Sequence, residues 1–104
     1  AVLEDFLAAG LDRCHVLDIG ASTGIIDSYL ADYVNRVVGI DIDRSAILHA
    51  RATNNKANLQ FCAGDGMNLS FSDGSFDLVI CTHVYEHVPS ASRLLDEIFR
   101  VMKD

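Results

Sequence analysis

Four short apolar runs, CHVLDI, RVVGID, LQFCAG and FDLVIC, recur along the chain with polar, helix-spaced stretches between them. Runs of this length that are rich in Val, Ile, Leu and Phe read as buried strands, and their alternation with helical segments predicts parallel β-α-β units. The linking segments, residues 24–33 and 44–54, place Ile25, Leu30, Ala31, Ile47, Leu48 and Ala52 at spacings that build an apolar face able to cover a sheet. Asp43 or Ser45 is placed to cap the second of these helices, and residues 54–58 supply the turn into the third strand. MNLSFSDGSF reads as a loop around an Asp-Gly turn, and SASRLLDEIFRVM as a last amphipathic helix opened by Pro89 and Ser90. Ahead of the first strand, VLEDFLAAG carries Leu3, Phe6 and Leu7 on one face and ends at Gly10, the pattern of a helix packing on that strand. Phe61, Phe71, Phe76 and Phe99 are expected in the core.

Right-handed crossovers put strands two and three on one side of strand one and strand four on the other, which predicts the order 3-2-1-4. The fold class is therefore α/β: a three-layer, Rossmann-like, doubly wound parallel sheet. In such sheets ligands bind beyond the strand carboxyl ends, where the order reverses; here that point lies between strands one and four.

Composition narrows this picture. With 104 residues, half of them hydrophobic, the chain suits a single domain over residues 1–104 and is too short for two. It opens at Ala1 without an initiator Met and ends in RVMKD with no helix-stopping Gly or Pro, so it is expected to be a piece of a longer domain, truncated before a fifth strand. Fifteen acidic against eight basic residues, a formal charge of -7, leave no basic footprint for a phosphate backbone, so nucleic acid is not expected as a partner. Cys14, Cys62 and Cys81 have no C-x-x-C spacing and read as free thiols of a reducing, cytoplasmic setting. No apolar run reaches the roughly 20 residues of a membrane span. Oligomeric state is not legible.

Candidate chemistry gathers at the strand ends. Asp18 near the end of strand one, Asp41 at the end of strand two, Asp65 just past strand three and the Cys81-Thr82-His83 run after strand four all fall on the same sheet edge. Beside them, VLDIGASTG contains G-A-S-T-G, which fits both a nucleophile elbow with Ser22 as the nucleophile and a glycine-rich cofactor loop. The hydrolase reading needs an upstream oxyanion loop, and only fifteen residues, with no Gly-rich segment among them, precede Val16 in the first strand. The cofactor reading needs a glycine turn for close backbone approach and, about twenty residues later, an acid for the ribose hydroxyls; Gly20, Gly24 and Asp41 supply both. A dinucleotide would require G-x-G-x-x-G, but Ser22 and Ile25 stand at the second and third glycine positions, which disfavours a NAD-dependent oxidoreductase. HVYEH, His83 to His87, matches the H-x-x-E-H zinc pattern, yet it follows a strand and runs into Pro89 with no clear third ligand; no metal is expected. His83 and His87 are the candidates for a general base at an acceptor pocket.

Taken together, VLDIGASTG, VVGIDID, FCAGDGMNLSFSDGSFDLVICTHVYEHV and RLLDEIFRVMKD resemble class I S-adenosylmethionine-dependent methyltransferases, in particular the small-molecule group known as methyltransferase type 11 or ubiquinone/menaquinone methyltransferase-like. The resemblance implies a loop of Asp18, Gly20, Ser22 and Gly24 around the methionine part of the cofactor, with Asp18 near its ammonium, directly or through water. It implies Asp41 on the ribose hydroxyls, Ile42 against the adenine, Asp65 accepting from the adenine amino group and Gly66 giving the backbone room to approach. Cys81, Thr82 and His83 would line the crevice by the methionine and a small-molecule methyl acceptor. Ser22 stands where the family usually has glycine, and the family's sheet normally has seven strands. The implied reaction is in-line methyl transfer, with S-adenosylhomocysteine as the product; a non-catalytic binding domain of the same fold is the other reading.

Overall fold

The computed structural model describes residues 10–81 and 89–103; the N-terminal segment read as a helix, and Thr82, His83 and His87, lie outside them. The four apolar runs form strands β1 (His15–Ile19), β2 (Arg36–Asp41), β3 (Leu59–Ala63) and β4 (Leu78–Cys81). They pair in the order β3-β2-β1-β4, all parallel, as the crossover argument requires. Between and after them lie α1 (Ile25–Leu30), α2 (Arg44–Thr53) and α3 (Ala91–Val101).

Alternation along β1 and β2 divides the core between the two sheet faces. Val16 and Val37 join Ile47 and Ala50 of α2, Leu59 and Phe61 on one face. Leu17, Ile19, Val38 and Ile40 join Leu69, Phe76, and Leu94 and Val101 of α3 on the other. Both faces of the central strands are thus apolar, and each such side chain fully withdrawn from water contributes about 1.5–3 kcal/mol.

The helices sit in registers that differ from part of the sequence reading. On α1 the inward position is Asp27, fully buried, whereas Ile25 is 67% exposed and Ile26 and Tyr29 are also turned outward. On α2 the inward pair is Ile47 and Ala50, three residues apart on one face, which leaves Leu48 and Ala52 outside. On α3 the inward row is Leu94, Ile98 and Val101, so Phe99 lies on the opposite side, 71% exposed, and is not core. Ile25, Leu48, Ala52 and Phe99 therefore depart from expectation for one reason: an apolar residue one step around the helix from the true contact stripe satisfies a spacing rule without touching the sheet.

Local chemistry fixes the helix ends. Asp43, not Ser45, caps α2, its Oδ1 accepting from the backbone N–H of Ser45 at 3.0 Å and of Ala46 at 3.2 Å. Ser90 caps α3 through Oγ, which accepts from Arg93 N at 3.2 Å. Arg100 of α3 ties down the loop before β4: it donates to Leu69 O at 2.9 Å, Phe71 O at 2.7 Å, Asp73 Oδ1 at 2.9 Å and Glu97 Oε1 at 2.9 Å. The Asp73-Gly74 turn that follows has Gly74 at φ 66°, as read from the sequence.

Candidate functional site

Beyond the carboxyl ends of β1, β2 and β3 opens a cavity of about 840 Å³. Asp18, Gly20, Ser22, Asp41, Ile42, Asp65 and Gly66, all named from the sequence, line it, and among the described residues no Lys or Arg does.

The loop between β1 and α1 is shaped by residues with positive φ: Gly20 at 87°, Ser22 at 55° and Gly24 at 81°. Ser22 thus adopts the left-handed backbone that glycine adopts freely and other residues rarely. The loop is fastened to β2, since the N–H groups of Gly20 and Ala21 both donate to Ile40 O, at 2.8 and 2.9 Å. Ser22 N donates to Asp41 Oδ2 at 2.9 Å, and Asp43 N donates to Asp41 Oδ1 at 2.9 Å. The Asp41 carboxylate is thereby held in one orientation between the loop and the start of α2, and each of its oxygens keeps a further lone pair for a hydroxyl.

Gly24 does not line the cavity. It is buried against the ring of Phe61, where a side chain would collide, so its absence of a Cβ lets the loop close onto β3. Gly66 does line it, and a Cβ there would stand 2.9 Å from Leu94 Cδ1 and 3.0 Å from Ile19 Cγ2. Asp65 forms a tight local turn, Oδ1 accepting from Met67 N at 2.9 Å, and is exposed at the cavity wall. Ile42 is 79% exposed, an apolar plate beside the acid of β2. Cys81 sits at the end of β4 opposite Ile19, half-buried and packed with the Leu17 and Ile19 cluster rather than on the cavity wall. Burial, and secondarily the charge of Asp18, raise its thiol above the ordinary value.

Asp18 is buried in the cavity floor, 4% exposed, and in the sheet it is in register with Gly39 of β2. Asp27 descends from α1 onto that same place: a Cβ on Gly39 would lie 2.5 Å from Asp27 Oδ2. Burial first, then the neighbouring Asp18 carboxylate, push the Asp27 carboxyl up to about 9, so it is a neutral acid at neutral pH. Sequence reasoning missed Asp27, as well as Thr23, Ile26, Gly64, Met67 and Pro89 of the cavity wall. A signal for Asp27 existed: a glycine inside the apolar strand RVVGID marks a place where another group comes close.

Three carboxylates along a cavity otherwise lined by glycines, apolar side chains, Ser22 and Thr23 suit an elongated ligand that is cationic at one end and carries hydroxyls and a flat apolar group further on. Among the described residues a pyrophosphate would meet acid and no balancing cation.

Comparison with known proteins places this arrangement. The family model described as "Methyltransferase domain" matches residues 17–104. The chain is 35% identical over 103 residues to the biotin biosynthesis bifunctional protein BioHC of Cellvibrio japonicus, covering 99% of this chain and 20% of that protein. It is 34% identical over 94 residues to the demethylmenaquinone methyltransferase of Lactobacillus johnsonii, covering 84% of this chain and 38% of that protein. Among solved structures, a SAM-dependent methyltransferase of Methanosarcina mazei superposes with a TM-score of 0.80 at 31% identity, over 93% of this chain and 52% of that one. The chain spans less than half the length of these two curated relatives.

Proposed function

This chain belongs to the methyltransferase domain family, of the class I S-adenosylmethionine-dependent type, and from that premise we propose that it forms the cofactor-binding part of an enzyme that methylates a small-molecule acceptor. The observation that carries the reading is the Asp41 carboxylate, held by Ser22 N and Asp43 N at 2.9 Å each beside the exposed Ile42, in a cavity whose floor is Asp18. The residues fit the cofactor: Asp18 has a buried Oδ1 without a partner among the described residues, suited to an ammonium, and the loop offers backbone where glycine is needed.

Bound S-adenosylmethionine would supply an already activated methyl group to an O, N or C nucleophile. The task left to this chain is alignment and exclusion of water, which can account for much of a rate enhancement without covalent participation. Asp41 orients the ribose by accepting from its hydroxyls, Ile42 lies against the adenine, and Asp65 accepts from the adenine amino group with Gly66 giving access. Asp18, Gly20 and Ser22 would hold the methionine end, with Gly24 closing the loop onto Phe61 behind them. His83 and His87 are the candidates for a base, which only a weakly acidic acceptor would need. The family match offers nothing for the nicotinamide-oxidoreductase alternative. No helix among the described residues is long and apolar enough to cross a membrane.

Calorimetric titration of S-adenosylhomocysteine into the full-length protein and its Asp41→Ala variant tests the reading. Saturable binding that the variant loses by roughly a hundredfold is expected, since both the ribose contacts and the fixing of the loop go. A folded protein that binds NADH and not S-adenosylhomocysteine overturns it.

A further inference from the structure

The acid under the loop has no place in the proposed chemistry, and its surroundings are unusual. Asp18 and Asp27 are 4% and 0% exposed. Oδ1 of Asp18 and both carboxyl oxygens of Asp27 meet no N–H or hydroxyl donor among the described residues. No Lys, Arg or His among the described residues forms an ion pair with either. Among the described residues, the only hydrogen available to the pair is therefore one that a carboxyl carries itself. Both acids converge on Gly39, Asp18 as its register partner and Asp27 with Oδ2 2.5 Å from where a Cβ would stand. Two carboxylates brought together in a buried site cannot both ionise, so one is protonated and can donate to the other. The more deeply buried of the two keeps the proton, and the one that lines the cavity keeps the charge.

We propose that Asp27 is a positioning residue of the cofactor site: as a neutral acid it donates its hydrogen to the Asp18 carboxylate, fixing that carboxylate to face the cationic amino-acid end of the ligand. The inference rests on the cofactor reading above. The fold has made room for this acid. Gly39 lacks the side chain that would otherwise fill the row between Asp18 and Phe61, and Ala21 and Phe61 close the space around Asp27 with apolar atoms. From the helix α2 the same face receives Ile47 and Ala50, neither titratable. From β4 the titratable neighbour is Cys81, whose thiol feels the Asp18 charge and is held protonated. The next acid along β2, Asp41, is engaged by Ser22 N and Asp43 N. Among the described residues Asp27 is thus the one donor within reach of Asp18, and the cavity is the side on which Asp18 is open. The proton held on Asp27 also keeps the floor at a single negative charge, matched to a single ammonium.

The test is S-adenosylhomocysteine binding by calorimetry from pH 6 to 10 in the full-length protein, in Asp27→Asn and in Asp27→Leu, with folding followed by circular dichroism. Asparagine still donates one hydrogen bond and cannot ionise. The expected result is affinity within about threefold of wild type for Asp27→Asn at pH 7, and a loss of at least tenfold for folded Asp27→Leu. As the pH rises through about 9, the wild type loses its donor and Asp27→Asn does not, so the ratio of their affinities changes roughly tenfold between pH 8 and 10. The ligand's own ammonium titrates in both proteins and cancels in that ratio. Wild-type binding with the same pH profile as Asp27→Asn, or full affinity in Asp27→Leu, overturns the positioning role while leaving the cofactor reading intact. A folded wild type that binds no S-adenosylhomocysteine at any pH overturns both.

Discussion

Gly39 and Asp27 share one space: a Cβ placed on Gly39 would stand 2.5 Å from Oδ2 of Asp27, and 2.8 Å from both Ala21 Cβ and Phe61 Cδ1. The glycine of β2 is thus required by an acid twelve residues earlier in sequence, on another element and another layer of the fold. Overpacking of a closed site of this kind costs about 1–3 kcal/mol. Gly39→Ala is expected to destabilise the protein by that amount in urea or guanidinium unfolding. If the collision with Asp27 is the main cause, the Asp27→Ala, Gly39→Ala double variant is less unstable than the two single changes added together, because truncating one partner makes room for the other.

A raised carboxyl pKa carries a sign for stability. Asp27 in the folded chain holds its proton up to about 9, whereas in the unfolded chain it releases it near the ordinary 3.8. Between those values the folded state binds more protons than the unfolded one, so the contribution is fully present at low pH and is lost as the pH rises to about 9, by at most about 1.4 kcal/mol per pH unit. Asp27→Asn removes this dependence. Denaturant midpoints measured from pH 5 to 9 are expected to fall for the wild type and to stay nearer level for Asp27→Asn, with the variant more stable at pH 8 by on the order of a few kcal/mol. An acid retained at such a cost is the usual mark of a site whose geometry matters more than its stability.

The sequence carried the sheet well, because a parallel strand buried on both faces leaves a nearly continuous apolar run, and VLDI, RVVGI and DLVIC are such runs. The strand order followed from crossover handedness, whereas the cavity lies beyond β1, β2 and β3, with no residue of β4 in its described wall, and so to one side of the β1–β4 point where the order reverses. Seven of the acids, glycines and other residues named from motifs do line the cavity. Gly24 was legible as a loop glycine, but not its contact with Phe61, because that contact joins positions far apart in the chain. Helix facing was less legible: Ile25 and Phe99 are apolar, and only the depth of the neighbouring layer decides that Asp27 and Ile98 point inward instead. A buried aspartate in a helix opposes the pattern by which helix faces are read, which is why Asp27 escaped it.

Glu97 gives the opposite sign. Its carboxylate accepts from Arg100 at 2.9 Å and from Leu69 N at 2.7 Å, and these bonds, the Arg100 one foremost, hold it below the ordinary carboxylate value. Its contribution is present above the unfolded value and lost as the pH falls through the lower folded one. Glu97→Gln is expected to lower the melting midpoint at pH 7 by roughly 5 °C and to lower it less as the pH falls and the wild-type carboxylate begins to take up its proton. Arg100→Met is expected to be worse at all pH values, since the carbonyls of Leu69 and Phe71 then lose their shared donor as well. Differential scanning calorimetry at pH 3, 5 and 7 distinguishes the two.

Ile42 separates binding from folding. At 79% exposure it contributes little to the core, yet it lines the cavity directly after Asp41, where a flat apolar ligand group would cover it. Surface substitutions away from packed features change stability within about 0.5 kcal/mol, so Ile42→Ser is expected to leave the unfolding midpoint nearly unchanged. Burying an isoleucine side chain against a ligand is worth about 1.5 kcal/mol at the low end, which is roughly tenfold in affinity. A tenfold weaker titration of S-adenosylhomocysteine with an unaltered melting curve is therefore the expected outcome. Unchanged affinity would mean that the adenine does not lie on Ile42, and would move the apolar contact to the other exposed plates of the wall, Ile25 and Ile26, whose serine variants the same titration can rank.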